Sequence, residues 1–178
     1  MKCKKFFAAA AACLMVAGFA ACGNEPTPVN PYEKVFQIGI CQLVEHPALD
    51  EATRGFQEFL TEKLGDRVQF SVQNAQGEQT NCTTIVNQFV AAKVDLIMAN
   101  ATNAVKAARE ATSDIPIVGT SVTDYVSSGL VASNEAPSAN VTGASDMNPV
   151  NVQVDLMKTL CPTVKTVGIV INSGEENS

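Results

Sequence analysis

Apolar residues recur along this chain with two alternating periods. Val35-Phe36-Gln37-Ile38-Gly39-Ile40-Cys41 has the run of a strand, and Ala48 to Leu64 then places Leu49, Ala52, Phe56, Phe59, Leu60 and Leu64 at helical spacing. Arg67 to Val72 alternates Val68, Phe70 and Val72 as a second strand, and Thr80 to Lys93 sets Ile85, Val86, Phe89 and Val90 on one side of a second helix. Asp95-Leu96-Ile97-Met98-Ala99 is a short, continuously apolar strand of the kind covered on both faces. Thr102 to Ala111 reads as a third helix and Ile115-Pro116-Ile117-Val118-Gly119 as a fourth strand, its proline near the start where a missing donor is tolerated. Val150 to Leu160 reads as a further helix.

Strands separated by helices of this length require right-handed crossovers, so the expected fold is α/β, a doubly wound parallel sheet. Ligands of such sheets bind beyond the carboxyl ends of the strands, among loops and helix N-termini. That rule selects four polar segments: Gln42 to His46, Asn74 to Gly77, Asn100 to Asn103, and Thr120 to Asp124. Towards the end of the chain, Val164 to Asn172 reads as a fresh strand leading into the loop Ser173 to Ser178. An edge strand without its following crossover exposes apolar surface. The expected organisation is therefore a first lobe over 35–146, and a crossover helix and first strand of a second, similar lobe over 147–178.

The N-terminus is an address. Lys2, Lys4 and Lys5 precede an uncharged stretch from Phe6 to Phe19, and small residues follow, which is the build of a secretory signal peptide over 1–21. The run is shorter than the ~18–20 apolar residues that a membrane-spanning helix needs. Phe19-Ala20-Ala21-Cys22 resembles a bacterial lipobox, with Phe where Leu is usual, which makes Cys22 the expected site of lipidation; cleavage without lipid is the alternative. Residues 22–34 contain Pro26, Pro28 and Pro31 and read as a tether. Cleavage before Cys22 removes three lysines and no acid, taking the net charge from −6 to −9.

Charge and composition then narrow the function. A chain with 12 Lys+Arg against 18 Asp+Glu has no basic surplus to displace counterions, which argues against nucleic acid as a partner. A single histidine excludes a multi-histidine metal site, and neither a G-x-G-x-x-G nor a P-loop spacing is present, so no metal or cofactor is expected. Cys41, Cys82 and Cys161 lack C-x-x-C spacing, and Cys41 reads as a small buried hydrophobe. His46 has no G-x-S-x-G elbow to serve, so catalysis is not expected; it either hydrogen-bonds loop backbone or meets a ligand. Thr102 and Asn103 open a helix, where free N–H groups favour a carboxylate or are capped in the ordinary way. Ser121, Thr123 and Asp124 offer hydroxyls and one carboxylate, and Asp124 either faces a ligand amine or caps the following turn.

Ile38-Gly39-Ile40-Cys41-Gln42-Leu43-Val44-Glu45-His46-Pro47-Ala48-Leu49-Asp50 resembles the opening of the ABC-transporter substrate-binding lipoproteins related to the tryptophan-binding TrpX group. Three later stretches fit the same family in order. They are Ile115 to Val118 with Val122-Thr123-Asp124, then Asn140 to Asp146, then Ile171 to Ser178. The resemblance implies a type I periplasmic-binding-protein fold of two lobes that closes on a small solute and docks on a membrane permease. Gln42, Glu45, His46, Asn100, Thr102, Asn103, Ser121, Thr123 and Asp124 would line the first lobe's half of the cleft. Asp146 would lie at the crossover, and Asn172 and Glu175 in the second lobe's first loop. Two departures fall at the cleft: Asn100-Ala101-Thr102-Asn103 replaces a Thr-Pro-Ala-type turn, and Tyr125 stands where a proline commonly follows Thr-Asp. The implied role is capture of an amino-acid-like solute, aromatic ones included, with no chemistry. The alternatives are a sugar binder or a receptor-sensing module of the same fold; Tyr125 is the one aromatic these loops offer for stacking a sugar ring.

Overall fold

Gly39 stands in the middle of the first strand because a ring lies over it: a Cβ there would come within 2.6 Å of the Phe89 side chain. This close approach seats a helix flat on the sheet. The computed structural model describes residues 34–137 and 139–171. In chain order these form β1 (Phe36–Gln42), α1 (Pro47–Leu64), β2 (Val68–Asn74), α2 (Gln79–Ala92), β3 (Leu96–Asn100), α3 (Thr102–Ala111), β4 (Ile117–Val122), β5 (Val141–Ser145) and α4 (Val150–Leu160). The five strands make one parallel sheet in the order β2-β1-β3-β4-β5.

Alternation along the strands divides the core into two layers. Ile38, Ile40, Val68 and Met98 bury their side chains on the face that receives Phe56, Leu60 and Leu64 of α1. Cys41, Ile97 and Ala99 face the other way and pack with Ile85, Val86 and Phe89 of α2 and Ala104, Val105 and Ala108 of α3. Helices on both faces of an all-parallel sheet are the arrangement that its near-continuous apolar strands require. The expected doubly wound α/β lobe is what forms.

Three elements differ from the sequence reading. The fourth strand starts two residues after Ile115 and runs on to Val122, because Pro116 contributes only its carbonyl, which accepts from Ile97 N at 3.0 Å. β5 is a strand that the sequence pattern does not announce: Val141 alone along it is buried, so it carries no apolar alternation. The strand expected from Val164 to Asn172 is not formed over its described part, Val164 to Ile171. Val170 is fully exposed there and Ile169 is 82% exposed. Apolar β-propensity makes a strand only when a neighbouring ladder accepts its hydrogen bonds, and none is in place among the described residues. α4 keeps its expected bounds, with no residue buried.

Candidate functional site

The carboxyl ends of four strands carry polar side chains in one row. The pairing register sets Asn74 beside Gln42, Gln42 beside Asn100, and Asn100 beside Thr120. Residues in register share a face, so this row lies under the first turns of α1. Pro47 opens that helix at its first position, where its fixed φ suits the helix and its missing N–H is not needed. His46 is the N-cap, its Nδ1 accepting from Ala48 N at 3.2 Å, so the imidazole plays the backbone-bonding role.

Beneath α1 runs a buried relay. Asn100 Nδ2 donates to Leu49 O at 2.8 Å and to Thr53 Oγ1 at 2.9 Å. Thr53 Oγ1 donates to Gln42 Oε1 at 2.7 Å, and Gln42 Nε2 donates to Asp50 Oδ1 at 2.6 Å and Val44 O at 2.9 Å. Asn100 Oδ1 is buried and has no donor among the described residues. An orphaned buried acceptor is uncommon and marks a place where something further is bound or strain is held. An open cavity of about 260 Å³, lined by Gln42, Asp50, Thr53, Val72 and Asn74, adjoins the relay.

Besides Gln76 in the turn after β2 (φ 57°), two residues next to the row leave the ordinary backbone range. Ala101 has φ 93° and ψ 156°, and Ser121 has φ 55°. Neither is glycine, so both conformations are strained, and strain of this kind collects where a site needs a particular backbone aim. Ala101 N donates to Thr120 O at 2.9 Å, which brings the two strained segments side by side. At Ser121 the β4–β5 register shifts between Gly119 and Val122, a bulge that redirects the end of β4. Ala101 is also the N-cap of α3 and has no side chain able to accept, so no side-chain cap closes this helix. The α3 N-terminus therefore presents uncapped donors and the positive end of the helix dipole. Thr102 is buried there and Asn103 is half-buried.

The loop after β4 is committed to structure. Asp124 Oδ1 accepts from Val126 N at 2.9 Å and Ser127 N at 3.0 Å, so of its two expected roles it takes the turn cap. The Ser127 amide, then that of Val126, holds its carboxyl below the usual carboxylate range. Tyr125 does not offer a stacking face. Its ring is buried, its hydroxyl donates to Ala144 O at 3.3 Å, and the absent side chains of Gly119 and Gly143 make room for it. Burial, then the charge of Asp146, pushes its hydroxyl up to about 12. Thr123 O accepts from Ser145 Oγ at 2.6 Å, and Asp146 N donates to Val122 O at 3.1 Å, so Thr123 and Asp146 close the β4–β5 end.

The structure thus gathers Gln42, Asn100, Thr102, Asn103 and Ser121 at the strand ends, with Glu45 and His46 exposed at the mouth of α1. Asn172, Glu175 and Cys22 lie outside the described residues. Sequence reasoning misses Thr53 and Asp50, although Thr53 lies on the stripe of α1 that turns inward and a hydroxyl there is a legible signal of a buried partner. Cys41 and Cys82 are buried core thiols, and their mutual hydrogen bond, then burial, pushes the Cys41 thiol up and keeps it unreactive. Among the described residues, no cluster of three or more His, Cys, Asp or Glu could hold a metal ion, and no helix is long and apolar enough to cross a membrane.

Residues 37–178 match the family model described as ABC transporter substrate binding protein. A tyrosine-binding protein of Clostridioides difficile (strain R20291) is 45% identical over 149 residues, covering 82% of this chain and 43% of that protein. Two crystal structures have the same lobe. A conserved domain protein from Vibrio cholerae superposes with a TM-score of 0.77 at 41% identity, covering 81% of this chain and 50% of that one. An ABC domain from Streptococcus pneumoniae in complex with L-Trp superposes with a TM-score of 0.75 at 39% identity, covering 80% and 49%. The chain spans about half the length of these relatives. With a family model matched over most of its length and the lobe's topology in agreement, the chain belongs to the ABC transporter substrate-binding protein family.

Proposed function

We propose that the full-length protein captures a small amino-acid-like solute between two lobes and delivers it to an ABC permease, and that this chain supplies the first lobe's half of the cleft. The observation that carries the reading is the pair of strained residues, Ala101 and Ser121, beside the uncapped start of α3. A helix N-terminus of this kind suits a carboxylate. The orphaned Asn100 Oδ1 is an acceptor of the sort a solute ammonium, or a water beside it, satisfies. The relatives described as binding tyrosine and as holding L-Trp support an aromatic amino acid. Tyr125 packs on glycines rather than standing free, which removes the one aromatic these loops offered for stacking and weighs against the sugar alternative.

In this reading residues 147–178 lead into the second lobe, where Asn172 and Glu175 contribute to the opposing wall. The protein works outside the cytoplasm, tethered through lipid on Cys22. It performs no chemistry: the strand-end groups bind, orient and desolvate the solute. Titration calorimetry of the full-length protein with L-tyrosine, L-tryptophan and a hexose panel tests the solute class. One-to-one binding of an amino acid is expected, and binding of a hexose alone contradicts the reading. Detergent-phase partition of the wild type, lost in Cys22→Ala, tests the anchor.

A further inference from the structure

β2 forms one edge of the sheet, and it lacks every feature that usually keeps an edge from pairing. It holds seven residues with no charge, no proline, no glycine and no bulge against β1. Gln69 and Ser71 are exposed, Val72 is 48% exposed, and among the described residues no strand pairs with β2 on the side away from β1. The neighbouring surface carries few charges: Asp66 and Arg67 precede the strand, and Arg54 and Glu58 lie beside Phe70. On the face that Gln69, Ser71 and Gln73 share, the solvent side of α2 presents Thr80, Thr84, Asn87 and Gln88, and Gln73 Nε2 already donates to Gln88 Oε1 at 3.1 Å. On the other face, Arg54 pairs within α1 with both Glu51 and Glu58, which leaves one net negative charge there.

In a chain of net charge −6, most approaches of one copy to another meet like charge, whereas the seven residues of this strand bring none, and Asp66 and Arg67 at its start are of opposite sign. Its central residues, Gln69 to Gln73, are also symmetric in character about Ser71. If two copies pair antiparallel across a two-fold axis at Ser71, Gln69 meets Gln73 of the other copy and Phe70 meets its Val72. Amide then faces amide and apolar faces apolar at these four central contacts, Ser71 meets its own copy on the axis, and Val68 meets Asn74 at the two ends. We propose that β2 is a self-association edge at which a second copy of this protein adds its own β2, joining two five-stranded sheets into one.

The test is sedimentation velocity of the full-length protein over a wide concentration range, with two double variants. Gln69→Lys with Gln73→Lys sets lysine against lysine at both symmetric contacts, and association should weaken at least about tenfold. Gln69→Lys with Gln73→Glu sets lysine against glutamate, and association should match or exceed the parent. Thermal melts that match the parent show that both variants are folded; if one is not, the single variant Ser71→Lys, which opposes itself on the axis, takes its place. A parent that stays monomeric at every concentration overturns the proposal, and so does equal association of the two double variants.

Discussion

Asn100 reaches Thr53 across 47 positions of sequence, its Nδ2 lying 2.9 Å from the threonine hydroxyl. That single contact ties the end of β3 to the middle of α1, and through Thr53 to Gln42 at the end of β1. The polar floor of the proposed cleft is therefore held by one hydroxyl that both donates and accepts.

Thr53→Val keeps the volume and removes both functions of that hydroxyl. Gln42 Oε1 loses its donor and Asn100 Nδ2 keeps only Leu49 O. Leaving such groups buried and unpaired costs about 1–3 kcal/mol, measurable by urea denaturation. Thr53→Ser should recover most of the loss, whereas a purely steric role for Thr53 predicts that valine is harmless.

Gly143 is irreplaceable for a different reason. A Cβ there would collide with the Tyr125 hydroxyl and with the Gly119 carbonyl, and backbone cannot step aside as a flexible side chain does. Gly143→Ala should destabilise by about 1–3 kcal/mol and release the Tyr125 ring. Gly55, in the middle of α1, provides the contrast, since a Cβ there would meet nothing within 4 Å. Gly55→Ala should stabilise by about 0.5–1 kcal/mol. Thermal melts of the two variants should move in opposite directions.

Tyr125 gives the lobe an alkaline weakness. Its folded pKa is raised to about 12, above the ordinary value near 10. Between these values the unfolded tyrosine loses its proton while the folded one keeps it, so the stability present below pH 10 falls as pH rises towards 12. A loss of about 2 kcal/mol is expected over that window, and Tyr125→Phe should flatten this part of the stability–pH curve. An unchanged slope in the phenylalanine variant would assign the alkaline loss to other groups.

Much of this fold is written in short-range pattern. Helix α3 begins at Thr102 and ends at Ala111 as read, and α4 likewise keeps Val150 to Leu160, because 3–4 periodicity and the flanking residues mark those ends locally. β5 escapes such a reading because Gly143 and Ala144 serve the room that Tyr125 needs, not a strand pattern. The opposite error falls on Val164 to Ile171, where pattern is strong and no partner strand is present among the described residues to pair with. At the site, the strand-end rule finds Gln42, Asn100, Thr102 and Ser121. It cannot foresee the strained φ of Ala101 and Ser121, which arises from how β3 and β4 meet. Nor can it show that Asp124 and Tyr125 are occupied within the lobe.

If the strand ends around α3 receive the solute, its arrival must register first in the amides that line them. Amide chemical-shift mapping of the isotope-labelled full-length protein, titrated with L-tyrosine, reads this residue by residue. The largest first-lobe shifts are expected at Thr102, Asn103 and Ala104, with Ser121 and the Asn100 side-chain amide following. Shifts confined to the opposite end of the sheet, around Arg109, Ser113 and Asn140, or no first-lobe shifts while the solute binds, would overturn the proposed site.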